Sequence, residues 1–191
     1  PSVLNFLPKN NNNFYIPNPS DDSFETLNNF LKPCNVDVFF ALSHGVHRGV
    51  LKSGKIDDRI TFLKSLSEKT PDVKFDIYGI DKIQPIWADH YFKTIANAKM
   101  GLNLSRGEAI KYYSSDRITQ IVGNGLVCLI DEKTQYRDFF DNSEMVFYKN
   151  ISDLSEKILK VSKDEKLRRQ IAKNGKKKYM KYFNSTNVAE F

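Results

Sequence analysis

The stretch SSDRITQIVGNGLVCLI, Ser114 to Ile130, contains a helix, a stop and a buried strand in direct succession. Ile118, Ile121 and Val122 are spaced for one helix face, and Gly123-Asn124-Gly125 punctuates the chain. Leu126-Val127-Cys128-Leu129-Ile130 is then an unbroken apolar run, too short for a helix, which suits a strand covered on both faces. Working outward, strands are predicted at Val36–Leu42, Val73–Tyr78, Met100–Leu104 and Met145–Tyr148. Between them lie helical spacings: Ile56, Ile60, Leu63 and Leu66, ended by Pro71; then Tyr91, Phe92, Ile95 and Ala98. A short helical turn is expected near Phe139 and Phe140. Two helices close the chain, one carrying Leu154, Ile158 and Leu159. The other opens on Ser162-x-x-Glu165 as a capping box and carries Leu167, Ile171, Tyr179 and Phe183. This alternation specifies an α/β fold: a Rossmann-like parallel sheet of about five or six strands, helices on both faces and a C-terminal helix pair.

Residues 1–33 read as an inter-domain leader with a short helix on Phe24, Leu27, Phe30 and Leu31, and 34–191 as the Rossmann-like domain. Asn10 to Asn13 is a run of four asparagines, and Pro17-Asn18-Pro19 is extended or turn-like. The chain begins at Pro1 without a methionine and is read as part of a longer protein. With 191 residues, 40% hydrophobic, it can bury a core, and no apolar run approaches the ~20 residues of a membrane span. Two cysteines, Cys34 and Cys128, make no disulfide framework and read as reduced thiols in a cytoplasmic protein. Scattered His and Cys show no zinc spacing. Ten Lys/Arg against two acids in residues 160–181 give that segment +8 within a chain of net +6, so the remainder sums to −2. The bland reading is a solvated helix face. The sharper one is peripheral contact with anionic lipid. Nucleic acid is not expected, because no reading motif accompanies the charge.

In parallel α/β sheets ligands bind beyond the carboxyl ends of the strands, so the loops after Leu42, Tyr78, Leu104 and Ile130 carry the candidates. Ser43 to Gly49, with His44, Gly45 and Arg48, and then Lys52 and Lys55, offers flexible backbone and fixed positive charge for a diphosphate. It is neither a dinucleotide fingerprint nor a P-loop. His44 and His47 read as substrate contacts or surface groups, not metal ligands. Asp116, Arg117 and Gln120 start a helix facing the same edge and suit phosphate and sugar hydroxyls, or else form a solvated face. Gly79 and Ser105 follow two strands, and Trp87 either stacks on a base or anchors its loop. No Asp-x-Asp triplet and no nucleophile elbow occurs, and no catalytic residue is named.

The stretches Ser114–Ile130, Asp138-Phe139-Phe140, Met145-Val146-Phe147-Tyr148 and Arg168-Arg169-Gln170-Ile171-Ala172-Lys173-Asn174-Gly175 together resemble the C-terminal half of GT-B glycosyltransferases. The nearest types are group-1 and spore-maturation-protein-like enzymes, and Tyr15-Ile16-Pro17-Asn18-Pro19 resembles their inter-domain segment. The resemblance implies a nucleotide-sugar donor held in this domain, no metal or other cofactor, and a glycan or lipid-linked acceptor. It further implies an N-terminal domain elsewhere in the same enzyme, without which this half is expected to be inactive, and a role in building a bacterial surface glycan. It places the diphosphate at Arg48 with Lys52 or Lys55, and base contacts at Gln84 to Trp87. Many members carry a ribose-contacting glutamate where Gln120 stands, with a second glutamate at the position of Tyr112; neither is present. Glutamate at position 120 is expected to be tolerated. Two other classes are alternatives: a sugar-nucleotide epimerase of similar fold, which needs an ordered acid and base, and a flavodoxin-like regulatory or scaffolding module, whose phosphoacceptor form needs paired acids at strand ends.

Overall fold

The computed structural model of the protein describes residues 15–43 and 58–190. Five strands, β1 (Val36–Ala41), β2 (Phe75–Tyr78), β3 (Ala98–Asn103), β4 (Val127–Asp131) and β5 (Val146–Tyr148), form one parallel sheet in the order β2-β1-β3-β4-β5. The intervening helices are α1 (Arg59–Lys69), α2 (Ala88–Ile95) and α3 (Asp116–Gly123), followed by α4 (Ile151–Lys163), α5 (Glu165–Tyr182) and a short α6 (Ser185–Glu190) that the spacing did not signal. Alternate residues of the strands feed two cores. Val38, Phe40, Met100, Leu102, Val127 and Leu129 pack with Leu63 and Leu66 of α1, Leu154 and Ile158 of α4, and Ile171 of α5. Phe39, Cys128, Ile130 and Phe147 pack on the other face with Ile95 of α2, Ile118 and Ile121 of α3, and Tyr179 of α5. Such double coverage explains why the strands read as apolar runs rather than alternations. Both cysteines are buried and unpaired, and burial pushes the Cys128 thiol up to about 12.

Strand order reverses at β1. The chain moves outward from β1 to β2, then returns across it to β3 and continues to β5. The crevice between the carboxyl ends of β1 and β3 is therefore the topological switch point. Helix α3 is aimed at it by its stop. Gly125, at φ 74°, donates to Val122 O (3.0 Å) and Leu126 donates to Ile121 O (3.1 Å). This is a Schellman closure, which turns the chain directly into β4.

Three expectations change. The Phe24–Leu31 helix is only one 3-10 turn, Asn29–Leu31, with Phe24 and Leu31 pointing into solvent. Leu27 and Phe30 still pack against the cores, and polar bonds add to that contact. The Arg168 guanidinium donates to Asn29 O (2.7 Å) and Lys32 O (3.0 Å), and Lys176 Nζ donates to Glu25 O (3.1 Å) and Leu27 O (2.8 Å). The Ser162-x-x-Glu165 box does not form. Asp164 caps α5 through Leu167 N (2.9 Å), while Ser162 stays inside α4 and bonds Leu159 O (3.1 Å). One residue separates the two helices, so the cap falls on the residue between them. Finally, the basic segment is not uniformly solvated: Arg168 is fully buried and Lys178 pairs with Glu144 at 2.8 Å.

Candidate functional site

A cavity of about 770 Å³ opens at the switch point. The end of β1 supplies Ala41, Leu42 and Ser43, and the loop after β3 supplies Ser105, Arg106 and Glu108. The start of α3 brings Asp116, Arg117 and Gln120, the start of α2 brings Trp87 and Tyr91, and α1 brings Arg59.

Arg117 is wedged between the two strand ends. Its Nη1 donates to Leu104 O (3.2 Å) and Asn103 Oδ1 (3.5 Å), its Nε to Ala41 O (3.5 Å), and its guanidinium lies 5.2 Å from the Phe40 ring centre. Asn103 also accepts from Ser115 Oγ at 3.1 Å, tying β3 to the first turn of α3. Among the described residues no carboxylate lies within ion-pair distance of Arg117. Burial, and then the neighbouring Arg59 charge, hold its guanidinium below the ordinary arginine range. Arg59 is itself buried as the first residue of α1. Two cations thus approach one cavity at helix N-termini, an arrangement that attracts an anion and above all a dianion.

The candidates read from the sequence divide into three sets. Trp87, Ser105, Asp116, Arg117 and Gln120 all line this cavity. Trp87 stands at its mouth, 59% exposed. The Asp116 carboxylate accepts from Asn18 Nδ2 at 2.7 Å, so it also clasps the segment before β1. Gln120 turns its amide away from the crevice: Nε2 donates to Glu25 Oε1 (2.7 Å), and Oε1 accepts from Asn124 Nδ2 (3.4 Å). Gly79 does not line the cavity. It turns the chain after β2 at φ 77°, and a Cβ there would fall 2.0 Å from Leu42 O. His44, Gly45, Arg48, Lys52 and Lys55, with His47, lie outside the described residues.

Three functional groups escaped the sequence reading. Arg59 shares the buried face of α1 with Leu63 and Leu66, at spacings of four and three, so a charge in register with that face was the signal. Tyr91 entered only as one position of a helical spacing. Its ring does pack on Phe39 (5.5 Å, edge-on), yet it also faces the cavity. Glu25 is a buried carboxylate that accepts from Asp21 N (2.6 Å) and from Gln120. Burial holds its pKa above the ordinary value. A smaller cavity of about 290 Å³, sharing Asn18, Asp116 and Gln120 with the first, lies beside it. Among the described residues no three His, Cys, Asp or Glu side chains converge to hold a metal ion, and no helix is long and apolar enough to cross a membrane.

Comparison with known proteins agrees with this architecture. S. aureus TarM, solved as a mutant in complex with Fondaparinux, alpha-GlcNAc-glycerol and UDP, superposes with a TM-score of 0.62 at 14% identity, covering 99% of this chain and 40% of its own. Sucrose-phosphate synthase from Thermosynechococcus elongatus gives 0.59 at 12%, covering 98% and 53%. A glycosyltransferase from Rickettsia africae ESF-5 gives 0.50 at 12%, covering 83% and 46%. At these identities the likeness is one of fold, and the chain spans about half or less of each structure's length. No curated protein matches it. Residues 59–191, more than two thirds of the chain, match the family model Glyco_trans_1_2, described as glycosyl transferase-like. The resemblance to GT-B glycosyltransferases drawn from residues 114–183 is thereby borne out, and the chain belongs to the glycosyl transferase-like family.

Proposed function

We propose that this chain is the donor-binding domain of a two-domain, metal-independent glycosyltransferase. The enzyme moves a sugar from a nucleoside-diphosphate donor to a glycan or lipid-linked acceptor, and an N-terminal domain completes the cleft. The observation that carries this reading is Arg117, which is held at the switch point beside Arg59 and, among the described residues, has no carboxylate within ion-pair distance of its own guanidinium. When the glycosidic bond to the diphosphate breaks, negative charge grows on the leaving oxygens. Fixed guanidinium groups in a sheltered crevice stabilise that charge without reorganising. The UDP held by the structurally similar TarM makes UDP the first donor nucleotide to test.

The enzyme is proposed to act in the cytoplasm, resting on the membrane surface through the exposed row Lys173, Lys177 and Lys181 of α5. The primary test is calorimetry in EDTA with UDP, GDP, ADP and dTDP. One of them is expected to bind with a dissociation constant between roughly micromolar and millimolar, about −8 to −4 kcal/mol. Binding only after Mg²⁺ or Mn²⁺ is added would refute metal independence. No binding of any of the four would refute the donor assignment.

A further inference from the structure

Tyr91 lies one turn into α2, its amide bonded to Trp87 O at 3.3 Å, with its ring fixed edge-on against Phe39 (5.5 Å) and Phe92 (6.0 Å). The ring is therefore held by packing, and the residue forms part of the cavity wall. Its hydroxyl makes no hydrogen bond to any described residue. Other tyrosines are engaged: Tyr179 donates to Asn18 O at 2.7 Å, and Tyr136 and Tyr15 pair through their hydroxyls at 2.9 Å. A phenol on a cavity wall that bonds no described residue is available to a ligand entering the cavity.

The charges around Tyr91 indicate what the partner is. Of those acting on it, Arg117 is the foremost, with the Glu25 and Asp116 carboxylates weaker. Burial pushes its pKa up to about 12, so at neutral pH it is an uncharged O–H donor. Arg117 likewise has donors to spare. Its Nε and Nη1 are engaged with the strand ends, whereas Nη2 bonds no described residue. A hydroxyl donor and a guanidinium donor on the same wall match an oxygen that accepts from both, as a phosphate oxygen does. Trp87, one turn earlier and at the mouth, leaves the outer part of the cavity for the base.

We infer that Tyr91 is a donor-binding residue whose hydroxyl hydrogen-bonds the diphosphate beside Arg117. The inference rests on the donor reading given above.

Tyr91→Phe is the test, because it deletes the hydroxyl and keeps the ring on Phe39. Calorimetry with UDP, GDP, ADP and dTDP is run on wild type and variant, alongside thermal melts without ligand. The melting temperature is expected to be unchanged. The dissociation constant of whichever diphosphate the wild type binds is expected to rise about ten-fold, equivalent to about 1.4 kcal/mol. The corresponding uncharged nucleoside, titrated in parallel, is expected to distinguish the two proteins by less than two-fold. Equal diphosphate affinity in both proteins, or a lowered melting temperature with unchanged affinity, overturns the role of Tyr91 while leaving the donor reading intact. A wild type that binds none of the four overturns both together.

Discussion

Replacing Arg117 by alanine separates a binding arginine from an architectural one. Structurally its losses are modest. Only the bond to Leu104 O, at 3.2 Å, is well within hydrogen-bonding range; those to Asn103 and Ala41 are at 3.5 Å, and the Phe40 ring adds a cation–π contact at 5.2 Å. One charge-assisted bond at ~1.5 kcal/mol and a cation–π term of ~0.5–1 kcal/mol give a loss of about 2 kcal/mol. Relief of repulsion from Arg59 offsets part of this, and the freed carbonyls face a cavity that water can enter. A net cost of about 1 kcal/mol corresponds to about 2–4 °C in melting temperature for a chain of this size. Binding should change far more. Losing a charged hydrogen bond to a phosphate costs ~1.5–3 kcal/mol, or roughly 13- to 150-fold in affinity. Arg117→Lys keeps the charge but not the fork, and is expected to fall between wild type and alanine. Calorimetry at fixed ionic strength, paired with melts of each variant, reads both quantities. If Arg117→Ala lowers the melting temperature by more than about 8 °C and leaves diphosphate affinity unchanged, Arg117 is a strut between β1 and β3 and the site drawn around it is wrong.

Arg168→Ala removes a fully buried guanidinium from two main-chain carbonyls and is expected to cost about 3–5 kcal/mol in urea denaturation; a loss below about 1 kcal/mol would mean that the 15–35 segment is held by other contacts. A triple Lys→Gln change at Lys173, Lys177 and Lys181 should reduce co-sedimentation with anionic liposomes, each lysine adding up to about 1 kcal/mol, and added salt should do the same to wild type; equal, salt-insensitive behaviour returns this row to an ordinary solvated face. Gln120→Glu sets a second carboxylate against Glu25, where the amide now approaches to 2.7 Å, and is expected to destabilise at neutral pH. Such a pair holds a proton in the folded state at a pKa above its unfolded value, so the deficit relative to wild type should shrink as pH falls toward 4. A pH-independent deficit, or none, argues against the contact.

Most of the sheet was legible because parallel strands buried on both faces are written as short apolar runs between glycine and proline, as in Leu126–Ile130. The order of those strands was not, since nothing local to Val36–Ala41 distinguishes a central strand from an edge. Arg117 was found because a polar helix start beside a strand end is a local pattern. Arg59 and Arg168 were missed for one reason: each is a charge in the buried register of an amphipathic helix. Besides the local Glu165, Arg168 takes partners from residues 29 and 32, far away in the chain. Gly79 is a candidate in the sequence because it ends a strand whose carboxyl end faces the ligand edge. The same signal arises from a left-handed turn, and here that glycine lies against Leu42. The failed capping box at Ser162 is similar, because a four-residue pattern does not reveal that Asp164 lies between two abutting helices.

Glutamine at position 120, where the family pattern often has glutamate, follows from the segment before β1. Glu25 is buried against α3 so closely that a Cβ on Gly123 would fall 2.4 Å from its Cγ. Its two oxygens accept from Asp21 N and Gln120 Nε2, and the Lys176 charge acts weakly on it. A carboxylate in such a place needs donors, and an amide provides one where a second carboxylate would repel. Asn124 extends the same logic, donating to Gln120 O (2.9 Å) and accepting from Leu27 N (3.2 Å). Glu25 therefore adds negative charge behind α3 and touches the crevice wall through the Gln120 side chain, while Asp116 and Glu108 line the cavity directly. Coupling follows from that geometry: displacing the 15–35 segment removes the partner that orients Gln120. An N-terminal domain joined through this segment would thus act on the polarity of the donor cavity as well as on the shape of the cleft.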